Sequence, residues 1–361
     1  MLTVGGVLVE RLKIKSADLD YSVSFLKTQK ELKSLINKEN YYFIIDDFVA
    51  KNYSLINQQF KNNIITTIKP DEKIKTLDTV KDICNALIKK GANRTSTIVG
   101  IGGGFVQDLS QFTSKIFHRG TKLILVPTTL LSISDSCIGG KCGINLGSYK
   151  NQVGVFKSPS DVLIFSKFIK TLSHSQLVDG YGEILKLLIT KNKKNTLSFL
   201  KYLNSNTDSN LDFFIKQSLI SKKKIIEIDE FENDLRRILN YGHTFAHALE
   251  SLSKNEISHG QAVGFGINIA NFISMKLGLL EEKMFVNIFK NSYKIFNIEK
   301  IFENYQFGGD EYLKVMLTDK KTENNFTNFI LCQDYGELTI KKLKLDNKIA
   351  NLIDEFYSLD V

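Results

Sequence analysis

Three of the five histidines, His243, His247 and His259, fall in one short stretch of the chain. His243 and His247 stand four apart and share a face where the stretch is helical. His259 follows across a polar segment, residues 253–258, of the kind that makes a loop. Imidazoles from neighbouring segments converge readily on a Zn²⁺-type ion, and a carboxylate completes a three-ligand site with one open position. Glu183 is the candidate carboxylate. It lies in an apolar helical stretch, residues 182–189, where a solvated charge is out of place, and Lys186 sits three residues on, on the same face. Spacing alone leaves open whether His247 or His259 is the third ligand. A surface His-x-x-x-His beside an i, i+3 ion pair is the plainer alternative.

A second constellation is glycine-rich. Gly102, Gly103 and Gly104 run from an apolar strand over 96–101 into a helical pattern over 105–117. Consecutive glycines there let a ligand approach the backbone, and the helix N-terminus offers free N–H groups and a positive dipole end. A dinucleotide pyrophosphate suits that turn, although the spacing is not the G-x-G-x-x-G fingerprint. A tight turn without a ligand is the alternative. Asp46 ends an early strand and is placed to take ribose hydroxyls, although strand-end Asp is also a frequent turn former.

Residues 127–145, with Lys150 and Asn151, crowd hydroxyls, glycines, Asp135, Lys141 and Asn145 into one stretch. That is poor core material and good material for gripping an anionic, polyhydroxylated ligand. Lys222, Arg236 and Asn240 lie on the segments leading to the histidines. Cations beside a metal imply a substrate with more than one anionic group, against the default of a solvated basic face.

These residues need elements to hold them. The chain has 361 residues, 43% hydrophobic and 24% charged, a globular composition and enough for two domains. Strand patterns over 42–45, 63–68, 96–101, 122–126 and 162–165 alternate with helical spacing over 72–90 and 105–117, which predicts a parallel sheet covered by helices. Beyond about residue 171 helical periods dominate, over 182–190, 211–228, 235–252 and 260–277, with short strands over 326–332 and 337–340. The expected division is an α/β domain over 1–168 and a mainly helical domain over 169–361. The net charge is +9, yet only five of the 48 basic residues are arginine and no aromatic motif interleaves with the lysines, which argues against nucleic-acid binding. No apolar run is long enough to span a bilayer, and the N-terminus has no secretory pattern. The four cysteines form no C-x-x-C pair and read as reduced thiols of a cytoplasmic protein.

Taken together, the motifs resemble one family. Gly102-Gly-Gly-x-x-x-Asp108, Arg119-Gly120, Pro127-Thr-Thr-Leu-Leu, Asp135-Ser136, Gly139-Gly-Lys-x-Gly-Ile-Asn145, Lys150-Asn151, Glu183-x-x-Lys186, Asn240-x-Gly-His-x-x-x-His247 and His259-Gly260 follow the order and spacing of the 3-dehydroquinate synthases, a family of sugar phosphate cyclases. The resemblance covers roughly residues 40–335. It implies an N-terminal α/β NAD-binding domain and a mainly α-helical C-terminal metal-binding domain. It implies conversion of 3-deoxy-arabino-heptulosonate 7-phosphate to 3-dehydroquinate and phosphate, with NAD used catalytically beside Zn or Co.

By the same resemblance Glu183, His243 and His259 are the metal ligands. Asp135, Lys141, Asn151, Lys186, Asn240 and His247 line the substrate, and Lys222 and Arg236 hold its carboxylate. Arg119 reaches the phosphate from the neighbouring subunit of a homodimer. Asp46, Glu72, Lys75, Gly102, Gly103, Gly104, Asp108, Thr128, Thr129, Lys141, Lys150 and Thr171 match cofactor-side positions. One of Lys320 and Lys321 matches a phosphate-binding lysine. Gln107, Gln111, Gln261, Gly182 and Cys142 depart from the family pattern; Gln107 stands where a glycine is usual, so its side chain would crowd the pyrophosphate or pack against it. The departures keep a second reading alive, a divergent cyclase acting on another heptulose or hexose phosphate. A metal- and NAD-dependent polyol dehydrogenase is a third.

Overall fold

The computed structural model describes residues 2–4, 7–53, 63–147, 149–191, 193–205, 210–318 and 324–359. They form two compact units, Met1–Leu172 and Ser173–Val361.

The first unit runs β1 (Leu2–Val4), β2 (Val7–Ile14), β3 (Tyr21–Leu26), α1 (Gln29–Ile36), β4 (Tyr41–Asp46), α2 (Asp47–Asn52), β5 (Ile64–Ile68), α3 (Leu77–Lys89), β6 (Thr97–Gly102), α4 (Gly104–Ile116), β7 (Lys122–Pro127), β8 (Lys141–Leu146), β9 (Tyr149–Phe156) and β10 (Asp161–Phe165). Its main sheet has the order β1-β2-β3-β10-β7-β6-β4-β5. All neighbours from β3 to β5 are parallel, and β1 and β2 add an antiparallel edge. Every residue of β6 is buried, as a strand with cover on both faces requires. Alternate residues Phe43 and Ile45, Val99 and Ile101, Ile124 and Val126, and Leu163 and Phe165 share one core with Leu32 and Ile36 of α1 and Val49 and Ala50 of α2. β8 and β9 form a separate antiparallel hairpin, from residues among which the sequence shows no strand pattern. The consequence for function lies at one edge. β10, β7, β6, β4 and β5 are consecutive neighbours, so their carboxyl ends gather residues distant in sequence, where open α/β sheets bind ligands.

The second unit runs α5 (His174–Ile189), α6 (Lys193–Leu203), α7 (Leu211–Ile226), α8 (His243–Leu252), α9 (His259–Lys276), α10 (Glu282–Tyr293), α11 (Ile298–Asn304), α12 (Gly309–Leu317), the hairpin β11 (Phe326–Asp334) and β12 (Glu337–Lys344), and α13 (Asn347–Tyr357). α9 is buried almost throughout, as a helix apolar all round must be. The continuous helix expected over 235–252 is broken. A 3₁₀ segment, Leu235–Asn240, ends at Tyr241, and Gly242 turns into the left-handed region at φ +77° before α8 begins. Glycine is required there, and the break puts His243 in the first turn of a helix. Among the described residues no helix is long and apolar enough to cross a membrane.

α5 and α9 cross at two glycines. A Cβ on Gly182 would lie 2.1 Å from the Gly260 carbonyl oxygen, and one on Gly260 would lie 2.1 Å from the Asp179 carbonyl oxygen. The backbones therefore touch one residue from Glu183 and one from His259. Gly182→Ala is expected to force the helices apart, lowering stability by about 1–3 kcal/mol and weakening metal binding. Denaturant unfolding and metal titration check this, and an unchanged midpoint would show that the crossing yields freely.

Candidate functional site

Glu183 of α5, His243 of α8 and His259 of α9 offer one ligand atom each, all within 4.8 Å of one another. Glu183 Oε1 lies 3.1 Å from His259 Nε2 and 3.6 Å from His243 Nε2. The far side of each imidazole is also held. His243 Nδ1 is 3.2 Å from the Tyr241 carbonyl oxygen, and His259 Nδ1 is 3.1 Å from Glu250 Oε1. With Nδ1–H donated outward, both Nε2 lone pairs face Glu183, the second-sphere pattern of histidine metal ligands. The backbone N–H of Gly260 donates to Asp179 Oδ1 at 2.8 Å and fixes the start of α9.

The charges suit a cation. Burial works against ionisation of Glu183, but the Lys186 ammonium and the two imidazoles hold its carboxyl well below the usual range. Burial, with Lys186 nearby, lowers the pKa of His243, so it is the neutral base a metal needs. Burial alone would lower that of His259 too, yet hydrogen bonds to Glu183 and Glu250 push it up to about 10. The same two carboxylates that favour a proton there favour a divalent ion. Two imidazoles and one carboxylate are a donor set for Zn²⁺ or a similar ion with a position left for substrate. The structure groups His259 with Glu183 and His243. His247 is exposed, its ring centroid 5.5 Å from that of His243 and 6.4 Å from that of His259, and it lies outside the ligand group.

In the first unit the dinucleotide candidates line the carboxyl ends of the five parallel strands. Asp46 ends β4, Gly102 ends β6, Thr128 and Thr129 follow β7, Thr171 follows β10, and Glu72 and Lys75 follow β5. The glycines do different work. A Cβ on Gly102 would fall 2.5 Å from Val106 and one on Gly103 2.9 Å from Thr129, whereas nothing lies within 4 Å of a Cβ on Gly104. Gly104 opens α4, whose first turn has no side-chain cap. An open backbone at an uncapped helix N-terminus fits a pyrophosphate. Asp46 Oδ1 accepts from the N–H groups of Phe48 (2.9 Å) and Val49 (3.2 Å), so one oxygen caps α2. Thr171 Oγ1 donates to the Phe168 carbonyl.

Glu72, Lys75, Asp108 and Asn151 meet in one network. Lys75, buried, donates through Nζ to Asp108 Oδ2 at 2.9 Å and Asn151 Oδ1 at 2.6 Å, with Glu72 Oε1 at 3.7 Å. Burial pushes the Asp108 carboxyl up, against the pull of Lys75. Lys141, Lys150 and Asn151 are exposed on the β8–β9 hairpin, and Asp135 sits in a π-helical turn, Ser132–Ser136. Arg119 is exposed at the end of α4, where His118 and Arg119 both take left-handed backbone, φ +49° and +64°.

In the second unit Lys186, Lys222 and Arg236 are buried cations, at 4%, 7% and 3% exposure. The Arg236 guanidinium donates to the Glu230 carbonyl, and its backbone N–H donates to Asp229 Oδ2 at 2.9 Å. Asn240 Nδ2 donates to Glu232 Oε1 at 2.6 Å. Asp319, Lys320 and Lys321 lie outside the described residues.

The departures from the family pattern each have a place in the packing. Gln107 does not crowd the glycine turn: it is buried, and its Oε1 accepts the Ser136 hydroxyl at 2.7 Å. Gln111 Nε2 donates to the Lys157 carbonyl and Gln261 Nε2 to that of Phe296, both at 3.0 Å. Burial pushes the Cys142 thiol up to about 12, so it is no nucleophile. Sequence reasoning passed over Glu250, Asp179 and Glu232. Only Glu250 carried a signal, since it follows His243 by seven residues and so shares its helix face.

A metal donor set on a helical unit and a glycine turn on a parallel sheet define a metal- and dinucleotide-binding enzyme class. Residues 65–179 match the family model of the 3-dehydroquinate synthase N-terminal domain, and residues 180–322 match that of the C-terminal domain. The chain belongs to the 3-dehydroquinate synthase family. It is 36% identical to a 3-dehydroquinate synthase of Campylobacter concisus over 296 residues, 81% of this chain and 84% of that one. It is 33% identical to that of Pelagibacter ubique, covering 95% and 97%. Among solved structures it resembles 2-deoxy-scyllo-inosose synthase complexed with carbaglucose-6-phosphate, NAD⁺ and Co²⁺, at TM-score 0.84 and 26% identity over 96% of this chain and 99% of that one.

Proposed function

We propose that this chain is a phosphate-eliminating lyase that converts 3-deoxy-arabino-heptulosonate 7-phosphate to 3-dehydroquinate and phosphate. The observation that carries the reading is the group Glu183, His243 and His259 with its outward-facing hydrogen bonds, found in a chain of this family. Gly102, Gly103 and Gly104 would hold NAD, which would supply a reversible hydride acceptor, and Glu183, His243 and His259 would hold a divalent ion, which would supply Lewis acidity at the hydroxyl being oxidised.

The protein's own groups do the rest. Asp46, Glu72, Lys75, Asp108, Thr128, Thr129, Lys150 and Thr171 hold the cofactor. Lys222 and Arg236 bind the substrate carboxylate, and their burial strengthens that attraction. Lys141, on the exposed edge of its hairpin, serves both cofactor and substrate. Asp135, Asn151, Lys186 and Asn240 orient the ring. His247, exposed beside the ligand imidazoles, exchanges protons with the substrate. The partner in turnover is an anionic sugar phosphate, not nucleic acid or membrane, and the enzyme works in the cytoplasm.

Trace NAD should support many turnovers with no accumulation of NADH, followed by absorbance. Stoichiometric NADH would instead identify a dehydrogenase.

Arg119 belongs to the same proposal. The left-handed backbone at His118 and Arg119 costs energy and leaves the guanidinium exposed, as suits an arginine offered to the phosphate of a second subunit. Arg119→Ala should lower homodimer activity by about a hundredfold, in line with the loss of a charge-assisted phosphate contact. Mixing it with inactive His259→Ala should restore part of the turnover. Stable mixed dimers without recovery would rule out the shared site.

A further inference from the structure

Asn145 carries no role in the reading above, yet every polar group of its side chain is engaged. It is buried, at 8% exposure. Its Nδ2 donates to Glu72 Oε1 at 2.7 Å and to the Glu72 carbonyl at 3.2 Å, and its backbone N–H donates to the Lys75 carbonyl at 2.7 Å. Its Oδ1 accepts the backbone N–H of Asn151 at 2.9 Å. Asn151 stands at φ +53°, a left-handed conformation that asparagine tolerates but does not prefer. The other end of Asn151 is tied to the same segment, since Lys75 Nζ donates to its Oδ1.

Asn151 is therefore gripped twice, by Asn145 at the backbone and by Lys75 at the carboxamide, and both grips are anchored in residues 72–75. Those residues are cofactor-side in the proposed function, and Asn151 is substrate-side. A ligand that fixes residues 72–75 must fix Asn151 as well, and one that pulls on Asn151 must be felt at Glu72 and Lys75. Binding free energies coupled in this way are reciprocal. We propose that Asn145 is a positioning residue that couples cofactor binding to substrate binding, by locking the hairpin residue Asn151 to the Glu72–Lys75 segment. The proposal rests on the functional reading above.

The main test is calorimetric, with one kinetic readout beside it. NAD is titrated into the metal-loaded protein with and without a saturating, non-eliminating phosphonate analogue of the heptulosonate phosphate. In the wild type the analogue should tighten NAD binding by about tenfold, within the usual range of coupling between sites. In Asn145→Ala the tightening should fall below about twofold, and steady-state kinetics should show KM for the heptulosonate phosphate raised more than kcat is lowered. Asn145→Asp keeps the acceptor for the Asn151 N–H but sets a carboxylate against Glu72, so it should also uncouple while holding the fold. Adding Glu72→Gln returns a donor to that contact, and the double variant N145D/E72Q should recover coupling even where its NAD affinity is weaker. A role in stability alone would lower the melting temperature without this rescue. Equal coupling in the wild type and in both Asn145 variants overturns the clamp and leaves the functional reading intact. A wild type that binds neither NAD nor the analogue overturns both.

Discussion

His259→Ala is expected to lose the metal ion and to lower turnover by about a thousandfold or more, with the fold retained. His259 gives the group one of its two imidazoles, and its Nε2 is 3.1 Å from Glu183 Oε1. Removing a hydrogen-bond partner of a metal ligand typically costs 10–100-fold in affinity or activity, and removing a ligand itself must cost more. The fold should survive because Glu183 keeps Lys186 as an ion-pair partner and the His259 side chain is already 36% exposed. Truncation therefore strands no fully buried charge. Metal content after dialysis, read by atomic emission beside a thermal melt, checks both halves. A variant that retains a full equivalent of metal contradicts the ligand assignment.

The second large effect concerns the substrate carboxylate. Arg236→Ala and Lys222→Ala should each lower kcat/KM for the heptulosonate phosphate by about a hundred- to a thousandfold, the range expected when a buried charge loses its partner. Both side chains are more than nine-tenths buried, so a carboxylate bound there is little screened by water. The Arg236 guanidinium also donates to the Glu230 carbonyl, so some of the loss in Arg236→Ala is structural. Arg236→Lys keeps the charge and separates the two contributions. A cyclase for a sugar phosphate without a carboxylate would not need the pair. Losses under threefold in well-folded variants would favour that second reading, which the likeness to 2-deoxy-scyllo-inosose synthase keeps in view.

How far the sequence carries depends on where each group's surroundings come from. The parallel strands were legible because β4, β6, β7 and β10 are continuous apolar runs, and burial on both faces demands that. The hairpin β8–β9 was not, since its glycines and exposed polar residues carry no alternating pattern. The first 40 residues were equally silent. They add β1 to β3 and α1 to an existing sheet, a role fixed by tertiary pairing and not by local period.

Glu183 stood out as a charge in an apolar helix. The choice between His247 and His259 did not follow from spacing, because it depends on the left-handed break at Gly242 and on the contact of Gly182 with Gly260. The family resemblance supplied that choice, and Glu183, His243 and His259 are the residues the fold brings within 4.8 Å of one another. Glu250, which orients His259, and Asn145, which grips Asn151, each make their bonds to residues well separated in the sequence or on another segment. Those contacts exist only after folding.

The metal-loaded protein, with a trace of NAD, is given 3-deoxy-arabino-heptulosonate 7-phosphate, and released phosphate and the carbon product are measured together. Phosphate release matched mole for mole by 3-dehydroquinate, with no net NADH, is the predicted result. A protein shown to bind NAD and metal that releases no phosphate from this substrate, or releases it without forming 3-dehydroquinate, would contradict the assignment.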